Sequence, residues 1–183
     1  MDTFLNITSV TVVEQFSAFN QPFQFNIQYT CLADLRDDLE WQIVYNYSGD
    51  RSDDIELENV LVGPIRAGSY QFILQSSPLD SNSLPDDPKD VLGSAVVLVT
   101  CSYQNKEFIS VGFFVNTEYE SQDLKDNPPE DNILFDKLVR QVLIDKPVVK
   151  RVRIDLDEST DSIQLTHPEE NADTILNAIA AAQ

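Results

Sequence analysis

Apolar and polar residues alternate with period two along most of this chain, the pattern of half-buried β-strands. Phe23, Phe25, Ile27, Tyr29 and Cys31 alternate with Gln24, Asn26, Gln28 and Thr30, so one face is apolar and the other polar. Leu39, Trp41, Ile43 and Tyr45 repeat the pattern. The same reading predicts strands over about 4–13, 56–65, 69–76, 93–104, 107–118 and 148–156. Turn-forming groups separate them: Asn20-Gln21-Pro22, Ser48-Gly49-Asp50, Gly63-Pro64, Ala67-Gly68 and Gln104-Asn105. Eight short strands without interleaved helices predict an all-β fold, an antiparallel sandwich.

Residues 79–90 are rich in Pro, Asp and Ser and read as a loop. A helix is expected over about 132–144, where Leu134, Leu138 and Val142 recur every four residues and Phe135 and Val139 widen the stripe. Asp131 or Asn132 would cap it and Pro147 would end it. After Leu156 the character changes. The charged residues are then Asp157, Glu158, Asp161, Glu169, Glu170 and Asp173, with no Lys or Arg. The expected organisation is a binding domain over 1–156 and an acidic tail over 157–183. Within the tail, 173–183 is Ala-rich, with Ile175, Leu176 and Ile179, and reads as a short helix that is marginal in isolation.

One strand departs from simple alternation. Ala95, Val97, Val99, Cys101 and Tyr103 fit a core face, yet Val96 and Leu98 are apolar on the opposite face. On the next strand Ile109, Val111, Phe113 and Val115 make one face, and Phe114 falls on the other. Paired strands would therefore carry Val96, Leu98 and Phe114 as an outward patch, and such patches on soluble domains mark partner sites. The competing reading is that a loop or the C-terminal tail covers them.

The charge sharpens this picture. Acidic residues number 31 against 12 basic ones, a net charge of −19. That field disfavours nucleic acid and anionic membranes and attracts basic partners. No apolar run approaches the roughly 20 residues of a membrane-spanning helix. Met1 to Glu14 lacks the layout of a signal peptide, so an intracellular protein with Cys31 and Cys101 as buried thiols is expected. No cofactor, metal or catalytic residue is expected. His167 is the only histidine and lies in the tail, the two cysteines have no zinc spacing, and no phosphate-binding loop is present. Adjacent acids such as Asp37-Asp38 and Asp53-Asp54 read as a solvated face rather than a catalytic pair. Lys150-Arg151-Val152-Arg153 reads as part of a strand, with a nuclear import cluster as the alternative.

Several segments then carry a resemblance. They include Pro22-Phe23-Gln24-Phe25, Asp38-Leu39-Glu40-Trp41, Val60-Leu61-Val62-Gly63-Pro64 and Thr100-Cys101-Ser102-Tyr103. Glu107-Phe108-Ile109, Val111-Gly112-Phe113-Phe114-Val115-Asn116, Glu118-Tyr119 and Asn127-Pro128-Pro129 follow. In this order and spacing, from about residue 4 to 156, the chain resembles the anti-silencing-function family of histone chaperones. The resemblance implies an immunoglobulin-like sandwich that binds one histone H3–H4 dimer, blocks the tetramer and passes the dimer to other chaperones. It implies a non-enzymatic monomer, nuclear with a cytoplasmic share. It places the H3 site at Val96, Leu98 and Phe114, with Val149 beside them, and Asp50, Asp54 and Asp90 as partners of histone Arg or Lys. A pocket for the H4 tail would involve Phe113, Leu143 and Pro147. A separate surface, Asp37 and Asp38 beside Val60, Leu61, Val62 and Pro64, would take a short basic segment of a downstream chaperone.

Two positions depart from the family pattern. Ser110 stands where Arg is common on the H3 face, which removes a charge-assisted contact. Asn46 stands where Val is common near the same surface. The rival reading is a generic sandwich adaptor for a non-histone basic partner. An enzyme using paired carboxylates ranks behind it.

Overall fold

The computed structural model describes residues 4–154. The expected acidic tail, its helix at 173–183 and His167 lie outside the described residues. Ten strands are present among those described: β1 (Leu5–Val12), β2 (Phe16–Ala18), β3 (Gln24–Cys31), β4 (Leu39–Asn46), β5 (Ile55–Val62), β6 (Gly68–Gln75), β7 (Gly93–Tyr103), β8 (Lys106–Tyr119), β9 (Leu138–Val142) and β10 (Val148–Arg151). They form two antiparallel sheets. One has three strands in the order β1-β3-β6; the other runs β2-β9-β8-β7-β4-β5, with β10 pairing β8. The fold is an all-β, immunoglobulin-like sandwich with two short helices, α1 (Pro88–Val91) and α2 (Gln122–Asp126), in its connections.

The alternation seen in sequence becomes the packing between the sheets. Phe25, Ile27, Tyr29 and Cys31 of β3 and Leu39, Trp41, Ile43 and Tyr45 of β4 are buried in one core. Aromatic side chains tie the layers: Phe25 stacks on Phe113 of β8 at 5.7 Å, and Tyr29 stacks on Tyr70 of β6 at 5.0 Å. Burying each such side chain stabilises by about 1.5–3 kcal/mol relative to exposing it. Cys31 and Cys101 are buried free thiols within this core, and burial pushes both thiols up. Gln104 and Asn105 both have positive φ, 50° and 61°, which closes the β7–β8 hairpin.

The helix expected over 132–144 does not form. A 3-10 turn at Phe135–Lys137 leads directly into strand β9. The reason lies in β8, whose 14 residues outrun any single neighbour on that edge. Ile109–Gly112 pairs with β10 and Val115–Tyr119 pairs with β9. Those backbone groups need partners, and residues 138–142 supply them. Leu138, Arg140 and Val142 are the buried positions of β9, a period of two that the charge of Arg140 disguised. Arg140 is the buried tie between β9 and residues 17–21. Its Nε donates to Ser17 Oγ at 3.0 Å, Nη1 donates to Phe19 O at 3.0 Å, and Nη2 donates to Gln21 O. The guanidinium lies 3.6 Å from the Phe23 ring centroid, and burial pulls its pKa down to about 10. The expected strand at 148–156 is likewise shorter, ending at Arg151.

Candidate functional site

The larger sheet has an outer face directed away from the main core, and register decides what stands on it. Val96 of β7 lies opposite Asn46 on β4 and Phe114 on β8; Leu98 lies opposite Val44 and Gly112. Val148 of β10 is paired with Gly112. Partners in register share a face, with Cβ atoms about 4.5–5.5 Å apart. Val96 and Leu98, with Val44, Phe114 and Val148, therefore form an apolar cluster separate from the main core. The facing is what the alternation requires. The exposure is not: Val96 is 0% exposed and Leu98 6%. Val149 pairs with Val111 on the other side of β10, and Val148 is the β10 residue packed against the cluster. Ser110 sits on the same outer face, between Thr100 and Lys150, and is buried.

An acidic rim borders the cluster at the end of β4. Asn46 is fully buried beside Val96 and has every polar atom used. Its Nδ2 donates to Asp50 O at 2.6 Å and to Asp54 Oδ1 at 2.7 Å, and its Oδ1 accepts from Gly49 N–H at 2.7 Å. The loop that carries Asp50 and Asp54 is thus moored to the cluster by a side chain of the strand. Asp50 also caps the 3-10 turn Arg51–Asp53, and the Ser52 N–H it accepts holds its carboxyl below the usual range. Burial raises the Tyr47 hydroxyl's pKa, and Asp53 and, from α1, Asp90 raise it further.

A second surface lies at the far end of the β4–β5 pair. Leu39 pairs with Val62, Glu40 with Leu61 and Trp41 with Val60. Val60 and Val62 pack against the main core, while Leu61 is 65% exposed. Asp37 and Asp38 are exposed just before β4. Tyr103 hydroxyl accepts the Asp37 N–H at 3.4 Å, and Gln104 Nε2 donates to Asp37 Oδ2 at 2.7 Å. The carboxyl of Asp38 lies over Gly63, where a Cβ would meet its Oδ1 and stand 2.7 Å from its Cγ. Asp37 and Asp38 thus stand where β4 begins and Val60, Leu61 and Val62 where β5 ends, with exposed Pro64 two residues further on. From Leu39 to Asn46 the strand rises by about 23 Å, so this surface and the acidic rim stand at opposite ends of β4.

The comparison with known proteins decides the family. The model of the ASF1-like histone chaperone family matches residues 2–157. The chain is 40% identical over 182 residues to a probable histone chaperone ASF1A of Arabidopsis thaliana, covering 98% of this chain and 91% of the relative. It is 42% identical to the histone chaperone asf1 of Dictyostelium discoideum, over 79% of this chain and 93% of that protein. Against the Drosophila melanogaster histone chaperone asf1 the identity is 38%, over 84% and 69%.

The chain belongs to the ASF1-like histone chaperone family.

Members of this family are non-enzymatic binding proteins, so its surfaces, rather than a catalytic cleft, are where function is to be sought. The third residue set suggested by the ASF1 resemblance lies around one stretch of β8: Pro147 precedes Val148, which pairs with Gly112, and Leu143 follows β9. Phe113 is buried in the main core against Phe25, with no side chain to offer a partner. Leu143 is exposed, its N–H bonded to Phe114 O at 2.8 Å. Pro147 lines a shallow hollow between β1 and β10 with Ile7, Val10, Val111, Val149 and Arg151. β10 pairs β8 along one edge, and its other edge has no strand partner among the described residues. Sequence reasoning missed Val44 and Val148 as members of the outer cluster. Their signal was present as outward positions in register with Leu98 and Gly112, and it needed the strand pairing to be seen.

Proposed function

We propose that this chain is a histone chaperone that takes one H3–H4 dimer on the outer face of the larger sheet. The observation that carries the reading is the apolar cluster of Val96, Leu98, Val44, Phe114 and Val148, set apart from the main core and bordered by acids. Buried aliphatic and aromatic anchors supply most of an interface's energy. H3 seated there would be kept from a second H3, which blocks the tetramer. Asp50, Asp54 and Asp90 suit histone Arg or Lys as rim contacts, and the net charge of −19 favours encounter with a basic partner. Ser110, buried between Thr100 and Lys150, sets Lys150 on the neighbouring strand beside the position where the family commonly has Arg.

The H4 tail is read as adding a strand to the free edge of β10, because an edge strand presents unpaired N–H and C=O groups. The hollow by Pro147, not Phe113, is the place for an aromatic side chain of that tail. The end of the β4–β5 pair, with Asp37, Asp38 and Leu61, takes a short basic segment from a downstream chaperone, to which the dimer is passed during nucleosome assembly and disassembly. The domain of residues 1–156 acts as a monomer, in the nucleus with a cytoplasmic share.

Light scattering of the purified mixture tests the reading. One chaperone per H3–H4 dimer is expected, with no direct binding to free DNA. A stable assembly containing an H3–H4 tetramer would overturn it.

A further inference from the structure

Val96 and Leu98 are the floor of the outer cluster, packed under Val44, Phe114 and Val148. The surface a partner removes from water comes from apolar side chains around that floor that are still exposed. Strand register shows how far they extend. Leu143 N–H bonds Phe114 O at 2.8 Å, which carries the β8–β9 pairing one residue past Val115 and Val142 and sets Leu143 beside Phe114. The next row runs Ser94, Asn116, Gln141 and Phe16 across β7, β8, β9 and β2. Phe16 stands on the outer side of β2, because Ser17 turns inward to accept from buried Arg140 Nε. Leu143 is 40% exposed and Phe16 63%.

We propose that Phe16 is a further anchor of the histone surface and packs against an apolar side chain of the H3–H4 dimer seated on the outer cluster. The proposal rests on reading the outer face as the histone surface. A lone exposed apolar side chain needs no explanation, but Phe16 is not alone. It is in register with Gln141, so Val139 and Leu143 are its diagonal neighbours on the same face, about 7–8 Å away. It also stands on a three-residue edge strand, where an exposed aromatic ring invites aggregation and charge is the usual guard.

Charge and reach select the occupant. Gln141, Asn116 and Ser94 are uncharged in a chain with 31 acidic residues, so an apolar partner surface covers this row without desolvating a charge. Asn46, Val96, Phe114 and Leu143 form the adjoining row. Asn46 holds Asp54 at one end of it, and Phe16 lies beyond the other. A partner that is basic on one side and apolar on the other is thereby oriented across the face. A second copy of this chain, itself at −19, is repelled. Phe16 lies two strand spacings and two residues from Phe114, about 12 Å. A standard interface of about 800 Å² per partner has a radius of about 16 Å, so a dimer centred on Phe114 reaches it.

Calorimetric titration of H3–H4 into the full chain and its Phe16→Thr and Phe16→Leu variants tests this. Thr keeps strand propensity at an exposed position, so the melting temperature should not change. Histone affinity should fall about tenfold in Phe16→Thr, with a less negative heat-capacity change of binding, and Phe16→Leu should recover most of the loss. The basic chaperone peptide should bind both variants as it binds the parent. Val96→Arg, titrated alongside, separates the inference from the reading beneath it. If Val96→Arg loses histones and Phe16→Thr does not, the histone face stands and Phe16 is no part of it. If neither variant loses them, both are overturned. A loss that Phe16→Leu does not restore also overturns the proposal. So does a free chain that sediments as a dimer until Phe16 is replaced, which would make a second copy the occupant.

Discussion

Asn46 holds Asp54 by a 2.7 Å hydrogen bond across the end of the outer face, while Gly49 N–H donates to the same side chain at 2.7 Å. An uncharged residue on the strand thus moors the acidic rim. Asn46→Val leaves Gly49 N–H and Asp50 O without this partner, and unmaking buried hydrogen bonds costs about 1–3 kcal/mol. The expected outcome is a lower melting temperature and faster hydrogen exchange over residues 49–54. Unchanged protection of Gly49 would show that Asn46 does not moor the loop.

Val96→Arg is expected to abolish histone binding and leave the domain folded. Val96 belongs to the outer cluster, so the new side chain does not enter the core built around Trp41 and Phe25. In a complex the Arg would be pressed against an apolar H3 surface, and burying an unpaired charge costs several kcal/mol, enough to remove micromolar binding. Thermal melting and a histone titration on the one variant check both halves. A folded variant that binds H3–H4 normally would remove Val96 from the site; a variant that does not fold would make the outer cluster essential to the domain.

Asp38→Ala should weaken a basic chaperone peptide and spare H3–H4. The carboxyl rests over Gly63 at the end of β4 remote from the acidic rim. Loss of one charged contact costs about 2–5 kcal/mol where it is buried and much less at a rim. Gly63→Ala should have the same direction by another route, since its Cβ takes the place of the Asp38 carboxyl and displaces it. Calorimetry with the peptide and with histones separates the two surfaces. Equal losses in both titrations would mean that they are one.

Arg140→Met is expected to destabilise the fold by about 2–4 kcal/mol without altering either surface. The substitution keeps the packing on Phe23 but strands the Phe19 and Gln21 carbonyls, which Arg140 now satisfies. Urea unfolding should show a lower midpoint at an unchanged slope. A midpoint equal to the parent's would mean that water takes over those carbonyls at no cost.

Much of this molecule is legible in its sequence. The alternation of Phe23 to Cys31 and of Leu39 to Tyr45 determined which side chains face the core, because a strand has only two faces. The doubly apolar stretch around Val96 set a second cluster on the far side for the same reason, and the family motifs named its function class. Tertiary structure decided what local pattern cannot carry. Residues 138–142 became a strand because the long edge of β8 needed hydrogen-bond partners, against a four-residue periodicity that read as helix. Val148 rather than Val149 joined the cluster because register with Gly112 selects one face of β10. Phe113 was lost to the core by its place opposite Phe25. Asn46, in sequence only a departure from a pattern, became the mooring of an acidic loop, since three partners within hydrogen-bond reach exist only once that loop folds back over the strand.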